Sequence, residues 1–225
     1  MDFKLYRQFQ EITLNVKLRD LALEHATKRT KQIIRQFVPQ NAPLTPLESN
    51  YVGSIGEIAV RKYLKLNTTL DDNYDKHQVD DGDVEWNGLI YDVKTDAIPS
   101  SIYKNLHEGT IKAYDTYGCR VFSAKHLHHL KKYNGGLIFC AFKIPDNARE
   151  TKIERTPDWD IKNIRKNVFE NDKALIIGII EQARVADNPP TWYTPKNPET
   201  GRQSQYNSPN YIFHHTALTS IASII

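Results

Sequence analysis

Ile12, Leu14, Val16 and Leu18 alternate with polar residues, the pattern of a strand buried on one face, and Asp20 then caps a helix running to about Phe37. The exposed side of that helix carries Lys28, Arg29, Lys31 and Arg35. Residues 38–44, with two prolines, form a linker inside the domain, and Thr45-Pro46-Leu47-Glu48 is a capping box with proline at the first helical position. The helix that follows, to about Leu64, places Leu47, Tyr51, Ile55, Ile58 and Ala59 at helical spacing. Gly53 and Gly56 are poor helix formers, and both are expected to permit a close approach to a sheet. Glu57 lies mid-helix.

Residues 83–94, Asp-Val-Glu-Trp-Asn-Gly-Leu-Ile-Tyr-Asp-Val-Lys, carry a strong hairpin signal: Asn87-Gly88 between two alternating, β-rich arms. Downstream, Ser123 is expected to cap a helix to about Lys132, Gly135-Gly136 to end it, and Leu137 to Ile144 to form a buried strand. A further strand spans about Ala174 to Glu181. Two stretches interrupt the pattern: Pro145 to Asn171, rich in Lys and Arg, and Asp187 to Asn210, rich in Pro, Asn and Thr. Tyr211 to Ile225 is apolar and β-branched and is expected to dock on the domain.

The chain has 225 residues, 40% of them hydrophobic and 25% charged, enough for one domain with a buried core. Its longest strongly apolar stretch, Ala174 to Ile180, is far short of the roughly 20 residues a membrane helix needs. Met-Asp-Phe-Lys at the start lacks an apolar signal core, so no membrane partner is expected. Two cysteines, Cys119 and Cys140, exclude a disulfide framework and a four-thiolate metal site and suit a reducing, cytoplasmic compartment.

The formal net charge of +3 hides a strong asymmetry. Between Leu70 and Asp96 there are nine acids against two bases, a local balance of −7 that leaves +10 for the rest of the chain. An acidic pocket in a basic protein suits a metal-dependent enzyme acting on a polyanion, although a solvated acidic loop gives the same arithmetic.

The hairpin sharpens this. A two-residue turn at Asn87-Gly88 sets Trp86 against Leu89, Glu85 against Ile90, Val84 against Tyr91, and Asp83 against Asp92. Two carboxylates placed opposite each other, with Cβ atoms about 5 Å apart, repel and so invite a bridging cation. Lys94 lies two residues beyond Asp92 on the same face, roughly 7 Å along the strand. Hard oxygen ligands favour Mg²⁺ or Mn²⁺, and such an ion with a neighbouring ammonium predicts phosphodiester hydrolysis.

These residues resemble the PD-(D/E)xK nuclease superfamily, which includes restriction endonucleases and archaeal-type Holliday junction resolvases. The resemblance rests on Glu57 in Gly-Ser-Ile-Gly-Glu-Ile-Ala-Val, Asp83 in Asp-Gly-Asp-Val, and Asp92-Val93-Lys94 followed by Thr95, and covers about residues 46–95. It implies a single α/β domain with a mixed central β-sheet flanked by helices and an αβββαβ core like that of restriction endonucleases. That core would span about 46–182, with a strand–helix extension over 1–45 and a loop and docking segment over 183–225. Asp83 and Asp92 would be metal ligands, the Val93 carbonyl a further ligand, Lys94 the catalytic lysine and Glu57 an accessory metal-contacting acid. Gly82 stands where the family pattern has proline. No glutamine occurs between Gln78 and Gln182, so the Gln-x-x-x-Tyr helix of RecB-type exonucleases is missing, which favours an endonuclease.

DNA is the implied partner. Cleaving two strands calls for a homodimer, for which the N-terminal strand and helix are the candidate interface. Less specific readings stand beside these. Glu57 could pair with Arg61 on the helix surface, and Asp80 and Asp81 read as solvated turn residues, with Asp81 opposite Lys94. The clustered His126, His128 and His129 and the adjacent His214 and His215 lack zinc-ligand spacing. Trp192 to Tyr206, with Tyr193, Lys196, Arg202 and Gln205, mixes cations, amides and aromatics as a DNA-contacting loop would, or is a solvated loop. Lys152, Arg155, Lys162, Arg165 and Lys166 are phosphate contacts or an ordinary charged face. Alternative functions are a structure-selective nuclease such as a junction resolvase, an inactive nucleic-acid-binding protein of the same fold, and a metal-free protein-interaction domain.

Overall fold

A computed structural model describes residues 9–32, 44–70, 82–112, 115, 117–146, 164–187, 189–196, 201, 203, 206 and 208–225. Asp80, Asp81, Lys152, Arg155, Lys162, Arg202 and Gln205 lie outside the described residues.

The first described elements are strand β1 (Gln10–Thr13) and helix α1 (Val16–Gln32), shorter and earlier respectively than the alternation predicted. The cause is Asn15, whose side-chain oxygen accepts the Leu18 amide at 3.0 Å and starts the helix there, so Val16 and Leu18 are helical and Asp20 is not a cap. Helix α2 (Pro46–Tyr63) begins as predicted: the Thr45 hydroxyl accepts the Glu48 amide at 2.9 Å while the Glu48 carboxylate accepts the Thr45 amide at 3.0 Å. Glu48 is fully buried and also takes the Arg165 guanidinium, at 2.7 Å from Nε, so Arg165 closes the start of α2 rather than facing solvent. Thr45→Ala should therefore lower stability by about 1–2 kcal/mol, read as a shifted urea midpoint at unchanged slope.

After α2 come the hairpin strands β2 (Val84–Trp86) and β3 (Leu89–Pro99), then helix α3 (Ser100–Glu108) and strand β4 (Cys119–Ser123). Short helix α4 (Leu127–Leu130) follows a 3₁₀ turn at Ala124–His126, and β5 (Gly136–Ile144), short helix α5 (Lys166–Phe169), β6 (Lys173–Ile180), short helix α6 (Gln182–Ala186) and β7 (Asn210–His214) follow among the described residues. Ser123 ends β4 and makes no side-chain cap; its hydroxyl lies 3.2 Å from that of Ser208. The helix expected from there to Lys132 is thus two short turns.

Five strands form one mixed sheet in the order β1-β6-β5-β3-β2, with β3 and β5 parallel and the other neighbours antiparallel. β1 and α1 are integral to it: β1 pairs with β6, and Leu14, Ala22 and Ala26 share a buried cluster with Leu47, Tyr51, Ile55, Ile58 and Ala59 of α2. β5 is apolar on both faces, as a central strand should be. Ile138, Cys140, Phe142 and Ile144 pack toward the α2 side, while Leu137, Phe139 and Ala141 pack with α3, α4 and a second, two-stranded sheet of β4 and β7. The fold is thus mixed α/β. The C-terminal segment docks at two places: β7 pairs with β4, and the Trp86 indole donates to the Ile224 carbonyl at 2.8 Å. No helix among the described residues is long and apolar enough to cross a membrane.

Candidate active site

The hairpin forms in the predicted register, Val84 against Tyr91, Glu85 against Ile90 and Trp86 against Leu89. Asn87 and Gly88 both take positive φ, 51° and 74°, as the tight turn requires. The ladder stops one pair short of Asp83 and Asp92. Asp83 instead turns its carboxylate onto β3, where Oδ2 accepts the Val93 amide at 2.5 Å, and its own amide donates to the Tyr91 carbonyl at 2.9 Å. Arg61 of α2 holds this bend from behind by donating to the Asp83 carbonyl at 2.6 Å. Because β2 is only three residues long, the edge of β3 beyond Val93 is left for other groups to approach.

Side chains along β3 alternate. Thr95 abuts Gly56 of α2, so Asp92, Lys94 and Asp96 project from the opposite face. The Lys94 ammonium sits 2.7 Å from both oxygens of Asp92. Two residues further on, Asp96 Oδ2 accepts from Arg120 of β4 at 2.5 Å. Arg120 is fully buried and also donates to the Tyr117 carbonyl. Sequence reasoning missed Arg120, which lies in a stretch assigned no element. His215, buried nearby, has its pKa pushed down to about 2, first by burial and then by the Arg120 charge, and so stays neutral.

Glu57, Asp83, Asp92, Val93 and Lys94, the five residues singled out from the sequence, line one cavity of about 200 Å³ at the β3 edge, together with Arg29, Ser49, Asn50, Gly53 and Thr95. Glu57, Asp83 and Asp92 are 8%, 9% and 4% exposed, and three carboxylates this well buried need positive charge close by. Lys94 supplies part of it. Arg29 of α1 also lines the cavity; it is half-buried and turned toward α2, not on the exposed helix face where the sequence pattern placed it. Gly56 makes the close approach expected of it, whereas Gly53 does not: a Cβ there would meet nothing within 4 Å, and the position opens onto the cavity.

The donor types at the cavity are those a hard divalent cation prefers, carboxylates without sulfur. Glu57 of α2, Asp83 of the bend before β2 and Asp92 of β3 border a cavity large enough for several waters, and Mg²⁺ or Mn²⁺ is commonly held by one or two carboxylates plus substrate oxygens. Among the described residues no group of three or more His, Cys, Asp or Glu side chains is gathered closely enough to hold a metal ion. The turn bearing His126, His128 and His129 stands on the Asp92–Lys94 side, with ring centroids 5.6 Å apart for His126 and His129 and 3.8 Å for His128 and His129. Burial and then the Lys94 charge hold the pKa of His126 below its usual value, while Asp92 opposes the shift. Tyr193 is buried against Tyr206, rings 5.4 Å apart, and Trp192 is exposed.

No family model, curated protein or solved structure matches this chain. The functional reading therefore stands on the site's own chemistry.

Proposed function

We propose that the protein is a metal-dependent endonuclease that hydrolyses DNA phosphodiester bonds, with a catalytic core of the PD-(D/E)xK, restriction endonuclease-like kind. One observation carries the reading: Glu57 from a helix, Asp83 from the bend before β2, and Asp92, Val93 and Lys94 from β3 converge on a single cavity, although 35 positions separate Glu57 from Asp92. An ordinary charged hairpin has no reason to bring a buried helical carboxylate to the same place.

A divalent cation bound to Asp83 and Asp92, with Glu57 and the Val93 carbonyl as further ligands, would supply charge for the phosphoryl oxygens and a water made more acidic. Asp83 is held by the Val93 amide and so presents its other oxygen in a fixed direction. Lys94 orients the attacking water or shares the charge that builds up on the phosphoryl oxygens as water adds and the opposite P–O bond breaks. Its pairing with Asp92 keeps the ammonium at that spot before substrate arrives. Asp96, the next acid on this face, is paired with Arg120. Cutting both strands would use two copies of the chain.

Supercoiled plasmid incubated with the protein and Mg²⁺ or Mn²⁺ should be nicked or linearised, and EDTA should abolish the reaction. A discrete set of fragments would favour a sequence-specific enzyme, and cutting of four-way junctions alone a structure-selective one. Plasmid and branched DNA both surviving with either metal would overturn the proposal.

A further inference from the structure

We propose that Arg29 is a second phosphate-binding residue of this site, meeting the non-bridging oxygens of the substrate phosphodiester across the carboxylates from Lys94; this deepens the hydrolytic reading above and rests on it. The cavity itself raises the question. It brings three carboxylates together with two cations, Lys94 from β3 and Arg29 from α1, and an anionic substrate can enter only where positive charge offsets the acids. Lys94 is engaged with both oxygens of Asp92. Arg29 brings a planar fork of donors whose geometry matches two phosphate oxygens at once, which a lysine does not.

The way α1 is mounted supports this role. Arg29 lies one turn beyond His25, and beside the apolar packing of Ala22 and Ala26 the two helices meet there through a buried polar seam. His25 Nδ1 lies 2.7 Å from the Ser54 hydroxyl, which in turn donates to the Asn50 carbonyl at 2.9 Å. The Asn50 amide donates to the Thr30 hydroxyl at 2.8 Å, and Thr30 donates back to the Ala26 carbonyl at 2.7 Å. His25, Thr30, Asn50 and Ser54 are all buried. Such a seam carries a desolvation cost that alanine or leucine would avoid, but its directional bonds fix the rotation of α1 against α2 on both sides of Arg29. Along α2, Asn50, Gly53 and Glu57 border the cavity, and the missing side chain at Gly53 leaves open space between them. A cation that lines an open trough, carried on a helix whose rotation is fixed, is the arrangement a phosphate site needs.

The test compares the full-length protein with Arg29→Met and Arg29→Lys, with Lys28→Met as a control on the exposed side of the same helix. Single-turnover plasmid cleavage with Mn²⁺ should fall about 100-fold in Arg29→Met and about tenfold in Arg29→Lys, with melting temperatures near wild type and Lys28→Met unchanged. A second readout needs no turnover: inorganic pyrophosphate with Mg²⁺ should raise the melting temperature of wild type and not that of Arg29→Met. Wild-type cleavage rates in Arg29→Met would overturn the proposal. So would loss of activity accompanied by a large drop in melting temperature in both variants, which would make Arg29 a clamp between helices. If wild type cuts no DNA but pyrophosphate stabilises it through Arg29, the nuclease reading fails and the phosphate site stands; if pyrophosphate has no effect on wild type either, both fail.

Discussion

Lys94→Ala should lower single-turnover DNA cleavage by about 10³-fold or more, because it removes the only β3 cation poised at the carboxylates while leaving their positions set by other contacts. Asp83 is held by the Val93 amide and by Arg61 through its carbonyl, and neither bond involves Lys94. The substitution also removes the ammonium 2.7 Å from both oxygens of a carboxylate whose side chain is only 5% exposed. Without a divalent cation, the variant should be destabilised by the uncompensated buried charge of Asp92. Mn²⁺ should then raise its melting temperature at least as much as it raises that of wild type, since the ion no longer competes with an ammonium. Loss of cleavage with metal stabilisation retained would assign Lys94 to the chemistry rather than to metal binding. Wild-type cleavage by the variant would remove Lys94 from the chemistry and with it the assignment of the activity to this cavity.

The parts of this architecture that were legible in the sequence are those specified within a few residues. Asn87-Gly88 imposes its own turn, and the turn fixes the register of β2 on β3; Thr45 and Glu48 are three apart and cap α2 by themselves. Even so, the register failed at Asp83, where a side chain takes the Val93 amide and ends the ladder one pair early. The start of α1 was misplaced because Ile12 to Leu18 fits a period of two, while the bond from the Leu18 amide to Asn15 decides otherwise. Arg29 was missed for a different reason. Helical periodicity assigns apolar residues to contacts and charged ones to solvent, and the α1–α2 contact near the cavity is made by His25, Thr30, Asn50 and Ser54. Nor does any local signal pair Cys119 with His214; the β4–β7 sheet depends on contacts between segments far apart in the chain.

Gly56→Ala should destabilise the protein by about 2–3 kcal/mol and lower its melting temperature by roughly 5–10 °C. A Cβ at Gly56 would lie 1.8 Å from the Thr95 hydroxyl and 2.9 Å from the Thr95 Cβ, so α2 would have to lift off β3 or Thr95 would have to move. Alanine's better helix propensity returns only about 1 kcal/mol against that overlap. Either adjustment falls at the site, since Glu57 is the next residue of the helix and Lys94 the preceding residue of the strand, and cleavage should drop with stability. Thr95→Ala supplies the check. The Thr95 hydroxyl is buried with no hydrogen-bond partner among the described residues, so its removal alone should cost little. In combination, removal of the hydroxyl at 1.8 Å should restore part of the loss, a coupling outside additivity, while the Cβ contact at 2.9 Å remains. Gly53→Ala, only one turn before Glu57, should by contrast stabilise the helix by up to about 1 kcal/mol, because nothing lies within 4 Å of the added carbon. A neutral Gly56→Ala would mean that α2 is not seated on β3 at Thr95, and the delivery of Glu57 to the cavity would lose its physical basis.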